Sequence, residues 1–151
     1  MSENSPSVPP RWFVRTAWVV HRILNRLFGG RVLRKPVEGK WGMLVLRTTG
    51  RKSGETRQAI LAYFDDGPDL VLMAMNGWAN PEPAWWLNLQ AHPEASVTLP
   101  DGTTRDVRAR TSEGAEHDRL WRRWNTFNDA DLDGYETIRG RQTAVVVLEP
   151  R

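Results

Sequence analysis

Hydrophobic and polar positions follow two different periods along this chain. Residues 10–28 repeat at helical spacing. At 100° per residue, Arg11, Arg15, Arg22 and Arg26 fall within about 60°, and Trp12, Phe13, Val19, Val20, Ile23, Leu24 and Leu27 fill the adjoining half of the wheel. Gly29 and Gly30 stop this helix, so residues 10–30 form an amphipathic N-terminal unit. Residues 1–9 are polar and proline-containing and read as a disordered lead-in. From Trp41 onward the period shortens. Segments 43–47, 56–64, 70–75, 95–99, 103–111 and 142–149 read as strands. Segment 84–91 reads as a short helix closed by His92-Pro93, and 113–127 as a helix with Leu120, Trp121, Trp124 and Phe127 spaced at three and four. Asp101-Gly102 is a favoured pair for a tight hairpin turn, and 65–69 reads as another turn.

Six strands joined mostly by hairpins predict a mainly β, α+β fold: a small, largely antiparallel β-barrel with flanking helices. A doubly wound parallel sheet would need a helix after most strands, and only two of these connections could hold one.

With 151 residues, the chain is long enough for one compact domain. Hydrophobic residues at 40% and charged residues at 26% place it among globular proteins. It has no cysteine, which excludes disulfides, thiolate catalysis and cysteine-ligated metals and fits a reducing compartment. The longest run without a charge spans residues 70–81, too short for a membrane-crossing helix, which needs about 20 apolar residues. Residues 1–10 lack the apolar core of a signal peptide, so a cytoplasmic location is expected. The net charge of +3 conceals an asymmetry: residues 1–60 carry 12 Lys/Arg against 3 Asp/Glu, and residues 61–151 carry 9 against 15. The basic first part points to an anionic partner or to a solvated basic face.

Four features could carry chemistry. The first is Thr48-Thr49-Gly50-Arg51-Lys52-Ser53-Gly54, with Arg57 three residues on. Two glycines allow a tight turn and close backbone approach, and guanidinium forks, an ammonium and hydroxyls suit phosphate or carboxylate. It is not a Walker A loop, because three residues separate the glycines and Lys52 precedes Gly54. An exposed hairpin turn would use the same residues. The second is residues 80–89. Trp85 and Trp86 project about 100° apart on a helix, so both are not expected to face one core, and one could stack on a planar ring. Asn88, three residues after Trp85, could hydrogen-bond what Trp85 stacks on. Ordinary packing of both tryptophans is the alternative. The third is Asp129, Asp131, Asp133 and Gly134, which match the start of a calcium loop. The glutamate required at its twelfth position is Gly140, so no metal site is assigned. His21, His92 and His117 have no metal-like spacing and read as structural, His117 lying on a polar helix face. The fourth is helix 10–28, whose cationic and aromatic faces suit either a membrane surface or packing on its own domain. No nucleic-acid recognition motif occurs, and the second part of the chain is acidic, so no nucleic-acid partner is expected.

These residues resemble the deazaflavin-dependent nitroreductase family, flavin- and deazaflavin-dependent oxidoreductases with a split, FMN-binding-like β-barrel. The likeness covers roughly residues 41–150. It rests on residues 46–54 with Arg57, on 83–89, and on the terminal 145–150. It implies that residues 31–151 form a split-barrel coenzyme-binding domain for the deazaflavin coenzyme F420, with its phosphate and oligoglutamate tail. FMN is the alternative, but it has no such tail. By motif position, Arg51, Lys52, Ser53 and Arg57 resemble the tail and phosphate contacts, and Trp85 and Asn88 resemble contacts near the ring and its linker. Met75 and Asn76 stand where relatives carry small or basic residues, so a phosphate contact there falls to backbone amides. Tyr135 is the match to the tyrosines that line the family's substrate side, and its hydroxyl would orient or protonate substrate. The resemblance implies hydride transfer to an electron-poor acceptor: a quinone, an activated alkene or a nitro compound. Some relatives carry a similar helix and associate with membranes, which implies a peripheral position on the inner face of the cell membrane. The protein would be a monomer or a homodimer. The reading of another class is a non-catalytic split barrel that binds flavin, haem or lipid at a membrane surface.

Overall fold

The computed structural model describes residues 33–75, 81–127, 132, 133, 136 and 142–151. The expected lead-in 1–9, the helix 10–28 with its glycine stop and membrane face, Asn76, Tyr135 and most of the acidic run 129–136 lie outside the described residues.

Six strands close into an antiparallel barrel. They are β1 (Gly42–Thr49), β2 (Thr56–Asp66), β3 (Asp69–Met73), β4 (Glu94–Thr98), β5 (Thr104–Thr111) and β6 (Val145–Pro150), in the order β1-β2-β3-β6-β5-β4. Two helices join them: α1 (Ala84–Ala91) and α2 (Gly114–Thr126). The expected mainly β barrel with flanking helices is therefore the observed fold. The expected strands are present with ends moved by one to three residues, because pairing extends or trims them. Gln142 and Thr143 precede β6 rather than belong to it.

Each strand sends alternate residues inward, as a two-residue period requires. Leu44, Leu46, Leu70, Leu72, Val97, Val107, Val146 and Leu148 fill the interior. The outer face of β2, β3 and β6 builds a second core against α2, in which Phe64, Val71, Val145 and Val147 meet Leu120, Trp121, Trp124 and Phe127. The spacing of Leu120, Trp121 and Trp124, with Phe127 at the C-terminal cap, is what makes the helix amphipathic. Ion pairs fasten its polar side. Arg119 and Arg123 both pair with Asp66, and the hydrogen bond from Arg119 holds the Asp66 carboxyl below its ordinary range. Arg110 donates from Nε to Glu149 at 3.0 Å and from Nη2 to Glu116 at 2.9 Å, which lowers the Glu116 pKa and joins β5, β6 and α2.

His117 corrects the expectation of a polar helix face. It is buried, stacks on Trp121 and places Nε2 3.2 Å from the Thr143 carbonyl. The helical wheel places it beside Trp121, four residues on, and α2 turns that stripe toward the segment entering β6.

Candidate active site

The strand register sorts the connections between two barrel ends. Thr49 pairs with Thr56, so β1 ends and β2 begins at one end, with loop 50–55 between them. Phe64 pairs with Val71, which runs β3 back toward that end, and Ala74 and Met75 emerge there. Arg47 pairs with Ser96, so β4 starts at this end, and Thr111 pairs with Val146, so β6 starts there too. The cationic loop, the exit of β3, the entry into β4 from α1 and the entry into β6 thus gather at one rim. Sequence-distant candidates meet because an antiparallel barrel returns every second connection to the same end.

Loop 50–55 is closed by its own backbone. Gly50 N donates to the Glu55 carbonyl at 2.7 Å, and Gly54 N to the Gly50 carbonyl at 2.8 Å. Gly54 sits at φ +72°, a conformation most side chains resist. A Cβ on Gly50 would stand 2.8 Å from Ser53 Oγ, so the first glycine permits the close turn. Ser53 Oγ accepts from Glu55 N and, at 3.4 Å, from Arg57 Nη2. Arg57 also lies 3.6 Å from Glu55 in a solvent-exposed pair. Lys52 is exposed and makes no ion pair among the described residues. The loop and the first turn-side residues of β2 therefore present three cations, Arg51, Lys52 and Arg57, against one carboxylate, Glu55.

α1 fixes the other half of the site, and here two expectations change. Trp85 and Trp86 are both buried, at 8% and 6% exposed, and both belong to the barrel's interior cluster with Leu89. Their rings lie 6.4 Å apart at 57°. The expected division, one indole inward and one lining an open pocket, is not observed. A helix set over the barrel rim meets apolar residues along more than one direction of its wheel, so a 100° separation does not send either indole to solvent. Trp85 consequently offers only a small part of its surface to a ligand.

Asn88 is the second change. Its side chain is 4% exposed and turns to the protein. Oδ1 accepts from Arg51 N at 3.1 Å and from Arg51 Nη1 at 3.2 Å, and Nδ2 donates to Thr48 Oγ1 at 3.2 Å. The amide carbonyl's two lone pairs are thereby taken, and of these bonds only one uses an N–H of Nδ2. The bonds nevertheless join the two sequence motifs, which the chain separates by 37 residues.

The two edges of β2 are paired unequally. β1 pairs with all of Thr56–Tyr63 on one edge of β2, whereas the β2–β3 ladder spans only Phe64–Asp66 with Asp69–Val71. Among the described residues, the other edge of β2 over 56–63 has no strand partner in that ladder. Half-buried Met75 follows β3 toward the same rim, with its N–H on the Met73 carbonyl. Sequence reasoning does not find where the β2–β3 ladder ends, because where a ladder stops depends on the twist and closure of the whole sheet.

A separate open cleft of about 440 Å³ runs down the outside of β1, β4 and β5, with Arg47, Ser96, Asp106 and Arg151 in its walls. It begins at Thr49 and Thr56, below the loop, but Arg51, Lys52, Met75, Trp85 and Asn88 do not line it. Its two arginines face Glu94 and Asp106, a balanced set that does not suit a polyanion.

Tyr63 is the other tyrosine of the chain. It pairs with Gly42 at the opposite barrel end, where burial, with Asp65 and Asp101 nearby, pushes its phenol up to about 12. It is too far along β2 to serve the rim.

The donor set on the loop can be tested against a phosphate and carboxylate ligand from its chemistry alone. Guanidinium and ammonium groups are exposed and held on a preset backbone, with hydroxyls between them. These residues fit an elongated polyanion.

Known proteins extend this picture. The model of a family described as F420H(2)-dependent quinone reductase matches residues 18–150. The F420H(2)-dependent quinone reductase Rv1261c of Mycobacterium tuberculosis is 30% identical over 148 residues, covering 93% of this chain and 97% of the relative. A second M. tuberculosis protein, the putative F420H(2)-dependent quinone reductase Rv3178, is 31% identical over 122 residues, covering 81% and 98%. Among solved structures, an F420-H2 dependent reductase (FDR-A) superposes with a TM-score of 0.63 at 28% identity over 71% of this chain and 93% of that one. Another, described as a domain-swapped dimer, gives 0.64 at 25% identity over 89% and 99%. The barrel, its cationic rim and these matches over nearly the whole length agree, and the chain belongs to the F420H(2)-dependent quinone reductase family.

Proposed function

We propose that this protein binds reduced coenzyme F420 at the barrel rim and reduces a quinone. The observation that carries the reading is the join made by Asn88, which ties the cationic loop to the tryptophan helix beside the open edge of β2. A ligand with a planar head and a polyanionic tail needs those two environments next to each other.

The roles divide by chemistry. Arg51, Lys52 and Arg57 bind the phosphate and carboxylates of the tail, with Ser53 as a hydroxyl partner. Met75, at the exit of β3, offers no side-chain charge to a phosphate. Trp85 supplies apolar wall. When bound, the coenzyme supplies the hydride. The barrel interior next to the rim is packed with apolar side chains, which would keep water from the reduced ring. Tyr135 is the remaining tyrosine of the chain, and its hydroxyl is assigned the role of donor to the quinone oxygen. Hydride addition and one proton convert the quinone to hydroquinone.

The test is an anaerobic assay of purified protein with reduced F420 and a soluble naphthoquinone, following the visible absorbance of the oxidised coenzyme. The expected result is turnover that scales with protein concentration. A rate equal to that with heat-denatured protein overturns the proposal.

A further inference from the structure

Most polar side chains that hold a cationic loop are carboxylates, which fix a guanidinium but neutralise it. The loop here is held by a neutral amide. Asn88 Oδ1 accepts from both the main-chain N–H and the guanidinium of Arg51, and Asn88 is itself oriented by Thr48 Oγ1. Asn88 and Thr48 are both buried, at 4% and 3% exposed, so water cannot replace either partner. The arrangement fixes where Arg51 starts and where its fork points and leaves its full charge available.

We propose that Asn88 is a positioning residue for the polyanionic part of the coenzyme, acting through Arg51 and not on the ring. This rests on the proposed function. It assigns the neutrality of residue 88 a purpose: a carboxylate of the same shape would keep the geometry and cancel the charge. It also makes α1 a strut between the ring's surroundings and the tail's, because Asn88 shares that helix with Trp85.

The experiment compares two ligands on the full chain by fluorescence titration: intact F420, and the same deazaflavin and ribityl unit without phosphate or glutamates. Asn88→Ala is expected to weaken intact F420 by on the order of tenfold, within the range of coupled contacts, and to leave the truncated ligand within about twofold. Asn88→Asp should weaken intact F420 similarly, although it is isosteric. The double variant Asn88→Ala/Arg51→Ala should bind intact F420 no more weakly than Arg51→Ala alone. Equal losses for both ligands, or losses that multiply in the double variant, overturn the proposal.

If Asn88→Ala does not fold, Thr48→Val removes the acceptor that orients Asn88 at nearly constant volume, and Thr48→Ser restores it. Thr48→Val should weaken intact F420 alone and Thr48→Ser should bind as wild type. A Thr48→Val variant that weakens neither ligand, or both alike, overturns the role. A readout without coenzyme is hydrogen exchange at the Arg51 amide, which should quicken in Asn88→Ala while Leu44 and Leu46 amides keep wild-type rates. Unchanged exchange at Arg51 overturns the clamp. Wild-type protein that binds neither ligand instead overturns the proposed function on which it rests.

Discussion

Replacing Arg51 and Lys52 together with alanine will weaken binding of coenzyme F420 by at least about a hundredfold. Hydrogen bonds to charged groups contribute roughly 1.5–3 kcal/mol each, and two such donors are lost. The loop itself should survive, because its closure rests on the Gly50 and Gly54 backbone bonds and not on these side chains. Raising salt should weaken the wild type more than the double variant, since exposed charges are screened over a Debye length of about 8–10 Å at ordinary ionic strength. Titration by fluorescence at two salt concentrations checks both statements. An unchanged dissociation constant would remove the loop from the binding site.

The largest effect on stability is expected from Phe64→Ala. Phe64 is 1% exposed and carries the second core. Its ring meets Trp124 edge-on at 4.9 Å and Phe127 at 5.5 Å, and the Arg123 guanidinium lies 4.2 Å above it. It also forms the pair with Val71 at the end of the β2–β3 ladder. Truncation should cost about 3–5 kcal/mol, and the midpoint of thermal unfolding should fall by about 10 °C for a domain of this size. Phe64→Leu should cost less than about 1.5 kcal/mol, because it nearly preserves volume. Denaturant titration measures both. A loss below about 1.5 kcal/mol for the alanine variant would mean that α2 contributes little to holding the barrel.

Much of the fold is legible in the residues. Short β-compatible apolar segments mark β1 and β3, Asp101-Gly102 marks its turn with Gly102 at φ +86°, and Leu120, Trp121 and Trp124, with Phe127 at the cap, mark the buried stripe of α2. These signals are local, and local periodicity survives into the fold. The insertion of β6 between β3 and β5 is not local. Val145–Leu148 reads as a buried strand, but nothing in it names its neighbours, which barrel closure chooses.

The candidate site divides in the same way. Arg51, Lys52, Ser53 and Arg57 are recognisable because glycines and cations cluster within a few residues; Arg51, Lys52 and Ser53 stand on the closed loop and Arg57 on the start of β2. Trp85 and Asn88 are recognisable as unusual, yet their surroundings are not. Whether an indole faces a pocket or a core depends on how α1 sits over the rim. Asn88 spends its amide on Arg51, a partner 37 residues away that only the register of β1 brings near. Arg110 is similar: its place between Glu116 and Glu149 follows from the β5–β6 pairing and not from any motif.

The most direct measurement is the ratio of dissociation constants of the purified wild-type protein for intact F420 and for its deazaflavin–ribityl portion. If a preset cationic loop holds the tail beside a site for the head, intact F420 binds at least tenfold more tightly, and FMN, with one phosphate and no tail, falls below it. Equal affinity for the intact and truncated ligands would contradict the account, because the loop would then contribute nothing to recognition.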